Sequence, residues 1–383
     1  MTGRHPAGWY PLLLASASVG VANSVVFALL SDLQDEYGFG DVGLGLIAGS
    51  GFLTGLLGML LLAPLADRGH AKTLMIAGLA VAFIGSVFFA FAPSLPWLVV
   101  ARCVVGLSNS LFTPASRAVL IGMVDDDEVA TRLGRLSGVE LAGFVTGPVI
   151  GGLLIGPFGL AVPFLVTGSF ALIGAVMLWF QHVPEPPMTT NNRLAFDLLR
   201  LPRIRVGVLM AVALFAPVGF YDAVLDRFMT DLGASNHLIS LAFVSYGVPF
   251  ALLASKGGAL ADRYGALRVT VVSAVAVAPL VAMYGFISAP MLIVGLSAVE
   301  GVVNSAGVPA ATALVAQAAP EGRAAAAQGL SGAASILCGA LTAYSAGWFY
   351  EAAGAKAMFA FAAAAVLLLS AAALTQHRCA AVS

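Results

Sequence analysis

The chain has 383 residues, of which 60% are hydrophobic and only 10% are charged, and its formal net charge is −1. A soluble domain carries about 25% charged residues, so this composition excludes a soluble enzyme and, because polar residues are scarce, a disordered protein. The small net charge offers no attraction to nucleic acid, and three scattered cysteines do not form a disulfide framework. The mean hydropathy of +0.97 indicates a surface that mostly faces lipid.

Twelve apolar blocks follow one another along the chain, each long enough for a helix that crosses a bilayer. Short segments with Gly, Pro or charged residues separate them, and the longest polar stretch, 182–204, leaves no room for an inserted soluble domain. Span 1 is too long for the core of a signal peptide, so we expect it to be retained. We call these blocks spans 1 to 12, and they are predicted at 9–31, 42–65, 73–92, 96–122, 130–156, 160–181, 205–230, 236–258, 267–288, 290–317, 324–350 and 355–375.

Lys and Arg residues fall almost entirely on one side of this arrangement, which we call the basic side. Fifteen of the 18 lie there, Lys356 lies in a loop on the other side, and Arg102 and Arg227 fall within spans. Cytoplasmic loops of membrane proteins are rich in Lys and Arg. We therefore expect a multi-pass protein of the cell membrane with both termini and the segment 182–204 in the cytoplasm.

The second half of the chain repeats the first at a constant offset of 195 residues. We predict two six-helix bundles, 1–181 and 205–383, joined by a cytoplasmic linker, 182–204. Parallel halves of this kind are typical of secondary transporters, whose solute site lies between the halves near the middle of the membrane. The pairs at this offset include Asp67 and Asp262, Gly38 and Gly233, Gly106 and Gly301, Asn109 and Asn304, and Pro114 and Pro309.

The segments that follow spans 2 and 8 carry a specific pattern. The second copy reads Gly258-Ala-Leu-Ala-Asp262-Arg263-Tyr264-Gly265, and the first reads Ala63-Pro-Leu-Ala-Asp67-Arg68-Gly69-His70. Both resemble the signature of the major facilitator superfamily, Gly-x-x-x-Asp-Arg/Lys-x-Gly, although Ala63 and His70 replace glycines. The resemblance covers nearly the whole chain. It implies an all-α integral membrane fold of twelve transmembrane helices in two pseudo-symmetric halves, and a gating role for Asp67, Arg68, Asp262 and Arg263.

Glycines in spans 4 and 5 extend this resemblance. Arg102 and Gly106 in span 4 are similar to the second motif of the family. Its third motif, associated with drug/proton antiporters, favours export over import. Glycines of this kind also allow helix backbones to approach closely. The span 5 residues similar to the third motif are Gly143, Gly147, Pro148, Gly151 and Gly152.

Polar residues within spans 1, 4, 7 and 10 are the candidates for solute binding, because the resemblance implies that these four spans line the solute path. Hydrogen bonding between helices is the alternative role of each. The candidates are Asn23, Asn109, Thr113, Tyr221, Ser297 and Asn304.

Charged residues within the spans do not balance. An ionised carboxylate alone in hydrocarbon is costly, so an unpaired acid takes up a proton or a cation. We rank Glu300 first and Asp222 second as the site of proton coupling, with Arg102 available to pair with either. The positive residues are Arg102 and Arg227, and the negative ones are Glu140, Asp222, Asp226 and Glu300.

Two further expectations concern single charges. Glu140 shares a helix face with the glycines of span 5, which we expect to pack on span 8, where Tyr246 or Ser245 would hydrogen-bond this acid. Asp32 and Arg227 are 195 residues apart near the outer ends of their spans, and we expect them to form an outer gate that Asp226 shares. Snorkelling to the interface is the alternative for both.

These observations predict a proton-coupled antiporter that exports small apolar or cationic solutes by alternating access. We expect a monomer whose partners are the solute, protons and the bilayer. No cofactor, metal site or enzyme activity is expected, because no phosphate-binding loop, His pair at metal-ligand spacing or nucleophile–base set is present. Export of a sugar, an amino acid or a lipid is an alternative, and so is a non-transporting sensor, although the loops are short for an output surface.

Overall fold

The computed structural model describes residues 9–39, 41–125, 127–184 and 195–382, which form helices with short connections and contain no strand. Within these ranges, twelve helical stretches are long and apolar enough to cross a membrane. The predicted all-α fold with twelve spans is confirmed. Most of the predicted linker, residues 185–194, lies outside the described residues.

Apart from the short helix Leu30–Tyr37, the helices of the first half are long and consist mostly of apolar residues. Apolar side chains surround most of them, as expected of helices that meet lipid on one face and protein on the other. They are Trp9–Ser24 (span 1), its continuation Leu30–Tyr37, Asp41–Leu61 (span 2), Ala71–Ala90 (span 3), Leu95–Met123 (span 4), Val129–Phe158 (span 5) and Ala161–Phe180 (span 6), with 3₁₀ turns at Val25–Ala28 and Ala63–Arg68.

The helices of the second half follow the same order, and one turn of π-helix interrupts them in span 7. They are Pro202–Phe220, the π turn Tyr221–Leu225 and Asp226–Asp231 (span 7), Asn236–Tyr264 (span 8), Ala266–Tyr284 (span 9), Pro290–Ala318 (span 10) and Ala324–Val382, which contains spans 11 and 12, with a 3₁₀ turn at Ala195–Arg200 before span 7.

Glycines with positive φ end or break helices at repeat-equivalent positions. Gly159 has φ 76° and ends span 5, and Gly354 has φ 77° and separates spans 11 and 12. Gly38 and Gly233, at φ 63° and 81°, follow spans 1 and 7 in the same way. Only glycine adopts this conformation at no steric cost, so these residues set the same break points in both halves.

Two compact units make up the chain, and each exchanges a short segment with the other half of the sequence. Unit 1 comprises Met1–Met123, Val139–Leu194 and Pro320–Gly329. Unit 2 comprises Val124–Gly138, Ala195–Ala319 and Leu330–Ser383. The first turns of span 5 thus belong to unit 2, and the first turns of span 11 belong to unit 1.

The core of unit 2 surrounds Tyr221, Tyr284 and Glu300. Buried apolar side chains from spans 7, 9, 10 and 12 pack together there, including Phe220, Val277, Ile293 and Phe359. The ring of Phe359 stacks on that of Tyr284 with centroids 5.5 Å apart. These two rings exclude water from one side of the Glu300 carboxyl group, which span 10 contributes.

Candidate functional site

Glu300 is a deeply buried acid of unit 2, with 2% of its surface exposed. It lies ten residues after the start of Pro290–Ala318, which places it about 15 Å along the helix at 1.5 Å per residue. The hydroxyl of Tyr221 donates to its carboxylate, at 3.0 Å from both oxygens. The hydroxyl of Tyr284 lies 2.9 Å from Oε2.

The contacts of Glu300 continue as a chain along span 10. The hydroxyls of Tyr284 and Ser297 are 3.0 Å apart, and Ser297 Oγ donates to the Ile293 carbonyl oxygen at 2.9 Å. The rings of Tyr221 and Tyr284 are 5.4 Å apart. In the part of the chain that the structure describes, no Lys, Arg or His forms an ion pair with Glu300. Neutral hydroxyls alone therefore stabilise this carboxyl group.

The sequence points to Glu300, Tyr221 and Ser297 but not to Tyr284. Tyr284 is the last residue of span 9 and has 2% of its surface exposed. The only signal in the sequence is a lone hydroxyl at the end of an otherwise apolar run. A buried tyrosine hydroxyl needs a hydrogen-bond partner, but the sequence does not say which residue provides it.

The π turn of span 7 positions Tyr221 and Asp222 differently. It follows Pro217, which removes a backbone donor from the helix, and wide turns of this kind occur often at functional sites. Tyr221 contacts Glu300, whereas the side chain of Asp222 is exposed and has no hydrogen bond or ion pair to another described residue. The side chain of Asp226 lies outside the described residues.

Asn304 lies one turn further along span 10. It has 3% of its surface exposed, and its side-chain oxygen is buried without a hydrogen bond among the described residues. Tyr246 of span 8 lies close to this side chain. Gly301 lets these two helices approach, because a Cβ there would meet the Tyr246 carbonyl oxygen at 2.2 Å.

Arg102 is a buried base of unit 1, with 5% of its surface exposed. Its Nη1 donates to the Asn23 carbonyl oxygen at 2.9 Å, and its guanidinium lies 4.8 Å from the centre of the Phe27 ring. The Nε atom is buried without a partner among the described residues. Because Gly51 has no side chain, Arg102 fits beside span 2. The predicted pairing of Arg102 with Glu300 or Asp222 stays a prediction.

The other polar candidates of unit 1 bond mainly within their own helices. Asn23 Nδ2 donates to the Val19 carbonyl oxygen at 3.0 Å and lies 3.4 Å from Ser108 Oγ. Thr113 Oγ1 donates to Asn109 Oδ1 at 2.8 Å. These bonds are compatible with both predicted roles, helix packing and solute contact.

Glu140 has an ionic partner that its position in the sequence does not reveal. Arg117 Nη2 lies 3.3 Å from Glu140 Oε2, and both side chains are 21% exposed. The expected hydrogen bond to Tyr246 or Ser245 was wrong, because among the described residues Glu140 Oε2 accepts Arg117 and Oε1 has no hydrogen-bond partner. Arg117 lies within the helix Leu95–Met123, six residues before its end, although we had counted it among the charges of the basic side.

The glycine face of span 5 packs on span 1, so its expected packing on span 8 was also wrong. A Cβ on Gly143 would meet the Ala17 carbonyl oxygen at 2.3 Å, and one on Gly147 would meet Ser24 Oγ at 2.1 Å. Contacts with span 8 belong to earlier glycines of span 5, since Gly134 faces the Ala254 carbonyl oxygen. The half-buried Pro148 lies within this helix.

The glycines of this motif should therefore differ in their tolerance of a methyl group. We expect Gly147→Ala to destabilise the protein by about 1–3 kcal/mol, because overpacking forces spans 1 and 5 apart. Gly152→Ala is the matched control, because a Cβ there has no atom within 4 Å. Thermal unfolding of the detergent-solubilised protein measures both variants. Equal unfolding temperatures would contradict the close packing of span 5 on span 1.

The Arg117–Glu140 pair should stabilise unit 1 through charge neutralisation. We expect Arg117→Met to lower the unfolding temperature, because Glu140 would remain partly buried without its cation. The double variant Arg117→Met, Glu140→Leu should recover most of the loss. Thermal unfolding of both single variants and the double variant measures this recovery, and additive losses would rule out a coupled pair.

Asp67 and Asp262 hold helix N-termini in repeat-equivalent contacts. Asp67 accepts the N–H groups of Ala325 and Ala326 at 2.8 and 2.7 Å, within unit 1. Asp262 accepts those of Ala130 and Thr131 at 2.8 and 2.7 Å, within unit 2, and also the Thr131 hydroxyl. A carboxylate at a helix N-terminus satisfies free N–H groups and interacts favourably with the helix dipole.

The residues predicted to form the outer gate lie at the surfaces of their units. Asp32 is exposed. Arg227 is 72% exposed, and its Nε pairs with Asp231 Oδ1 at 2.9 Å, one helical turn away. Asp231 also accepts the Tyr350 hydroxyl at 2.6 Å. The gate between Asp32 and Arg227 stays a prediction.

Comparisons with known proteins place this arrangement in context. The family model described as Major Facilitator Superfamily matches residues 12–225 and 206–378. The multi-drug resistance efflux pump PmrA of Streptococcus pneumoniae is 28% identical over 282 residues, which cover 69% of this chain and 68% of that protein. The multidrug resistance protein MdtG of Yersinia enterocolitica is 27% identical over 314 residues, 77% of this chain and 75% of that protein. The crystal structure of the human organic anion transporter MFSD10 shares the fold, with a TM-score of 0.79 and 18% identity over 94% of this chain and 97% of that chain.

Proposed function

Because the chain belongs to the major facilitator superfamily, a family of transporters and not of enzymes, we propose that it is a proton-coupled antiporter. It exports small apolar or cationic solutes by alternating access. It acts as a monomer in the cell membrane with both termini in the cytoplasm. The multidrug efflux relatives support export of small solutes, since two proteins with that printed function match most of the chain.

The observation that carries proton coupling is the environment of Glu300. This acid is buried at about the depth of the bilayer midplane and has no cationic partner among the described residues. Burial without a counter-ion makes the charged form costly, so the side chain gains or loses a proton as its access to water changes. Glu140 is a weaker candidate, because Arg117 already compensates its charge.

The proposed cycle uses Glu300 as the proton carrier. Facing the outer side, the carboxylate takes up a proton and the solute leaves. Facing the cytoplasm, Glu300 releases the proton and a new solute binds along the path formed by Asn23, Asn109, Thr113 and the polar residues of span 10. Asp222, exposed and unpaired among the described residues, is the second acid of this path and can attract a cationic solute.

Access on the two sides is controlled by different charges. Asp67 and Asp262, with Arg68 and Arg263 beside them, close the cytoplasmic side by holding the N-termini of spans 11 and 5. Asp32 and Arg227, with Asp226, close the outer side. The helix N-terminal contacts of the two aspartates support the first assignment.

The test is a transport assay on the full chain in proteoliposomes. A panel of lipophilic cations, neutral apolar dyes, sugars, amino acids and a fluorescent lipid is offered under an imposed pH gradient, and solute flux and proton flux are recorded together. We expect gradient-driven flux of apolar or cationic solutes accompanied by counterflow of protons. Flux of sugars, amino acids or lipid alone would replace the solute class, flux without protons would remove the coupling, and no flux of any solute would favour a sensor.

A further inference from the structure

The hydrogen-bond chain that ends at Glu300 has three contacts, but its two hydroxyl groups have only two protons to donate. Three contacts follow in series, from Glu300 Oε2 to Tyr284 at 2.9 Å, from Tyr284 to Ser297 at 3.0 Å and from Ser297 to the Ile293 carbonyl oxygen at 2.9 Å. Each contact needs a proton. Tyr284 and Ser297 carry one hydroxyl proton each, and a carbonyl oxygen carries none. The proton of Tyr221 is occupied by its own contact with the two carboxyl oxygens.

A proton on Glu300 completes the series. The Oε2–H group of Glu300 then donates to Tyr284, Tyr284 donates to Ser297, and Ser297 donates to the Ile293 carbonyl oxygen. When Glu300 is ionised, Tyr284 turns its hydroxyl to Oε2, and Ser297 turns to Tyr284. Only hydroxyl rotations are required, no heavy atom has to move, and the two states differ by the single proton on Oε2.

We propose that Tyr284 and Ser297 are positioning residues for the proton of Glu300, through a hydrogen-bond chain that reverses direction when this acid gains or loses its proton. In the proton-loaded state each of the three contacts has its own proton. This inference rests on the proposed function, in which Glu300 carries the coupled proton. The hydroxyls of spans 9 and 10 adopt one orientation when Glu300 is protonated and the opposite one when it is ionised.

The surroundings of Glu300 leave few other groups that can influence its titration. The titratable side chains that face it from the packed helices are Tyr221 of span 7, Tyr246 of span 8 and Tyr284 of span 9, among the residues that the structure describes. Tyr246 has no hydrogen bond to Glu300 among these residues, since the hydroxyls that contact the acid belong to Tyr221 and Tyr284. It is therefore a matched control for Tyr284.

The reversing chain predicts opposite effects for its two members. Tyr284→Phe removes a donor from the ionised carboxylate, and hydrogen bonds to charged groups are the stronger ones, so Glu300 should titrate about one pH unit higher. Ser297→Ala leaves the Tyr284 hydroxyl without an acceptor only in the loaded state, so Glu300 should titrate about half a pH unit lower. A merely structural role would not produce shifts of opposite sign.

The experiment is a pH titration of the full chain in liposomes without solute. Infrared difference spectroscopy monitors the titration. The carbonyl band of the protonated carboxyl group is assigned to Glu300 by its absence in Glu300→Gln. We expect the midpoint to rise in Tyr284→Phe, to fall in Ser297→Ala and to stay within about 0.3 pH units in Tyr246→Phe, where no hydrogen bond to the acid is lost. Ser297→Cys, a weaker hydrogen-bond partner, replaces Ser297→Ala if that variant does not assemble.

Shifts of the same sign, or no shift in either variant, would overturn the reversing chain. This outcome is separate from the fate of the proposed function. If transport is driven by protons and lost in Glu300→Gln while the two midpoints fail to diverge, only the hydrogen-bond chain is refuted. If the midpoints diverge as expected but solute flux does not depend on the pH gradient, proton-coupled antiport is refuted and the chain remains.

Discussion

Glu300→Gln should abolish uphill export driven by a pH gradient while solute binding and downhill exchange survive. The amide has nearly the same shape as the protonated carboxyl group. Its oxygen can accept the Tyr221 hydroxyl and its NH2 group can donate to the Tyr284 oxygen, so the fold of unit 2 should persist. It cannot take up or release a proton near neutral pH. Counterflow and gradient-driven uptake into inverted vesicles distinguish the two activities, and we expect the gradient-driven rate to fall by about 100-fold or more, as for loss of an essential acid–base group.

Asp222→Asn is the comparison variant, because it removes an acid from the same region of the protein. The side chain of Asp222 is exposed and unpaired among the described residues, so this change should weaken binding of cationic solutes more than it affects coupling. Retention of full gradient-driven export by Glu300→Gln would remove Glu300 from the mechanism. Retention by both variants would leave facilitated diffusion or a different coupling ion.

Asp67→Asn should shift the protein toward the state that is open to the cytoplasm and slow transport without abolishing solute binding. The carboxylate accepts two backbone N–H groups of span 11 at 2.8 and 2.7 Å. An amide offers one acceptor oxygen and no charge. Hydrogen bonds to charged groups contribute about 1.5–3 kcal/mol, so the loss of one changes the ratio of the two states by about 10- to 150-fold.

A cysteine reporter on span 2 can measure this shift. The Met59 carbonyl oxygen lies 2.7 Å from the position of a Cβ on Gly329, and the Met59 side chain is 6% exposed, so this residue marks the contact between spans 2 and 11. In a background without native cysteines, Met59→Cys should react faster with a thiol reagent from the cytoplasmic side when Asp67→Asn is present. Asp127→Asn, which neutralises an exposed acid of the basic side, is the matched control. An unchanged labelling rate would argue against a gate at Asp67.

The repeat makes a second test of the same gate available. Residues 130 and 131 correspond to 325 and 326 at the offset of 195, so Asp262 contacts span 5 as Asp67 contacts span 11. Asp262→Asn should therefore act in the same direction as Asp67→Asn. The Thr131 hydroxyl adds a further bond on this side, and its counterpart, Ala326, has none.

Much of the architecture follows from the sequence, because local properties of the chain decide it. Length and apolar composition predict each span, since a helix in lipid must satisfy its backbone hydrogen bonds internally. The repeat pairs Gly38 with Gly233, and both have positive φ at the ends of spans 1 and 7. The scarcity of charge likewise marks Glu300 and Arg102, because a charged residue within an apolar run is conspicuous without any knowledge of its neighbours.

The sequence does not reveal the contact partners of these residues, because the partners depend on which helix faces pack together. Helical periodicity groups Glu140 with Gly143 and Gly147 on one face, but it does not say that span 1 covers this face or that Arg117 reaches the acid. Tyr284 and Glu300 are 16 residues apart on different helices, and Asp67 and Ala325 are 258 apart. Local composition determines that a segment crosses the membrane. Only the packing of whole helices against one another determines which polar atoms come within hydrogen-bonding distance, and at Glu300 that packing brings the hydroxyls of two tyrosines to the carboxyl group.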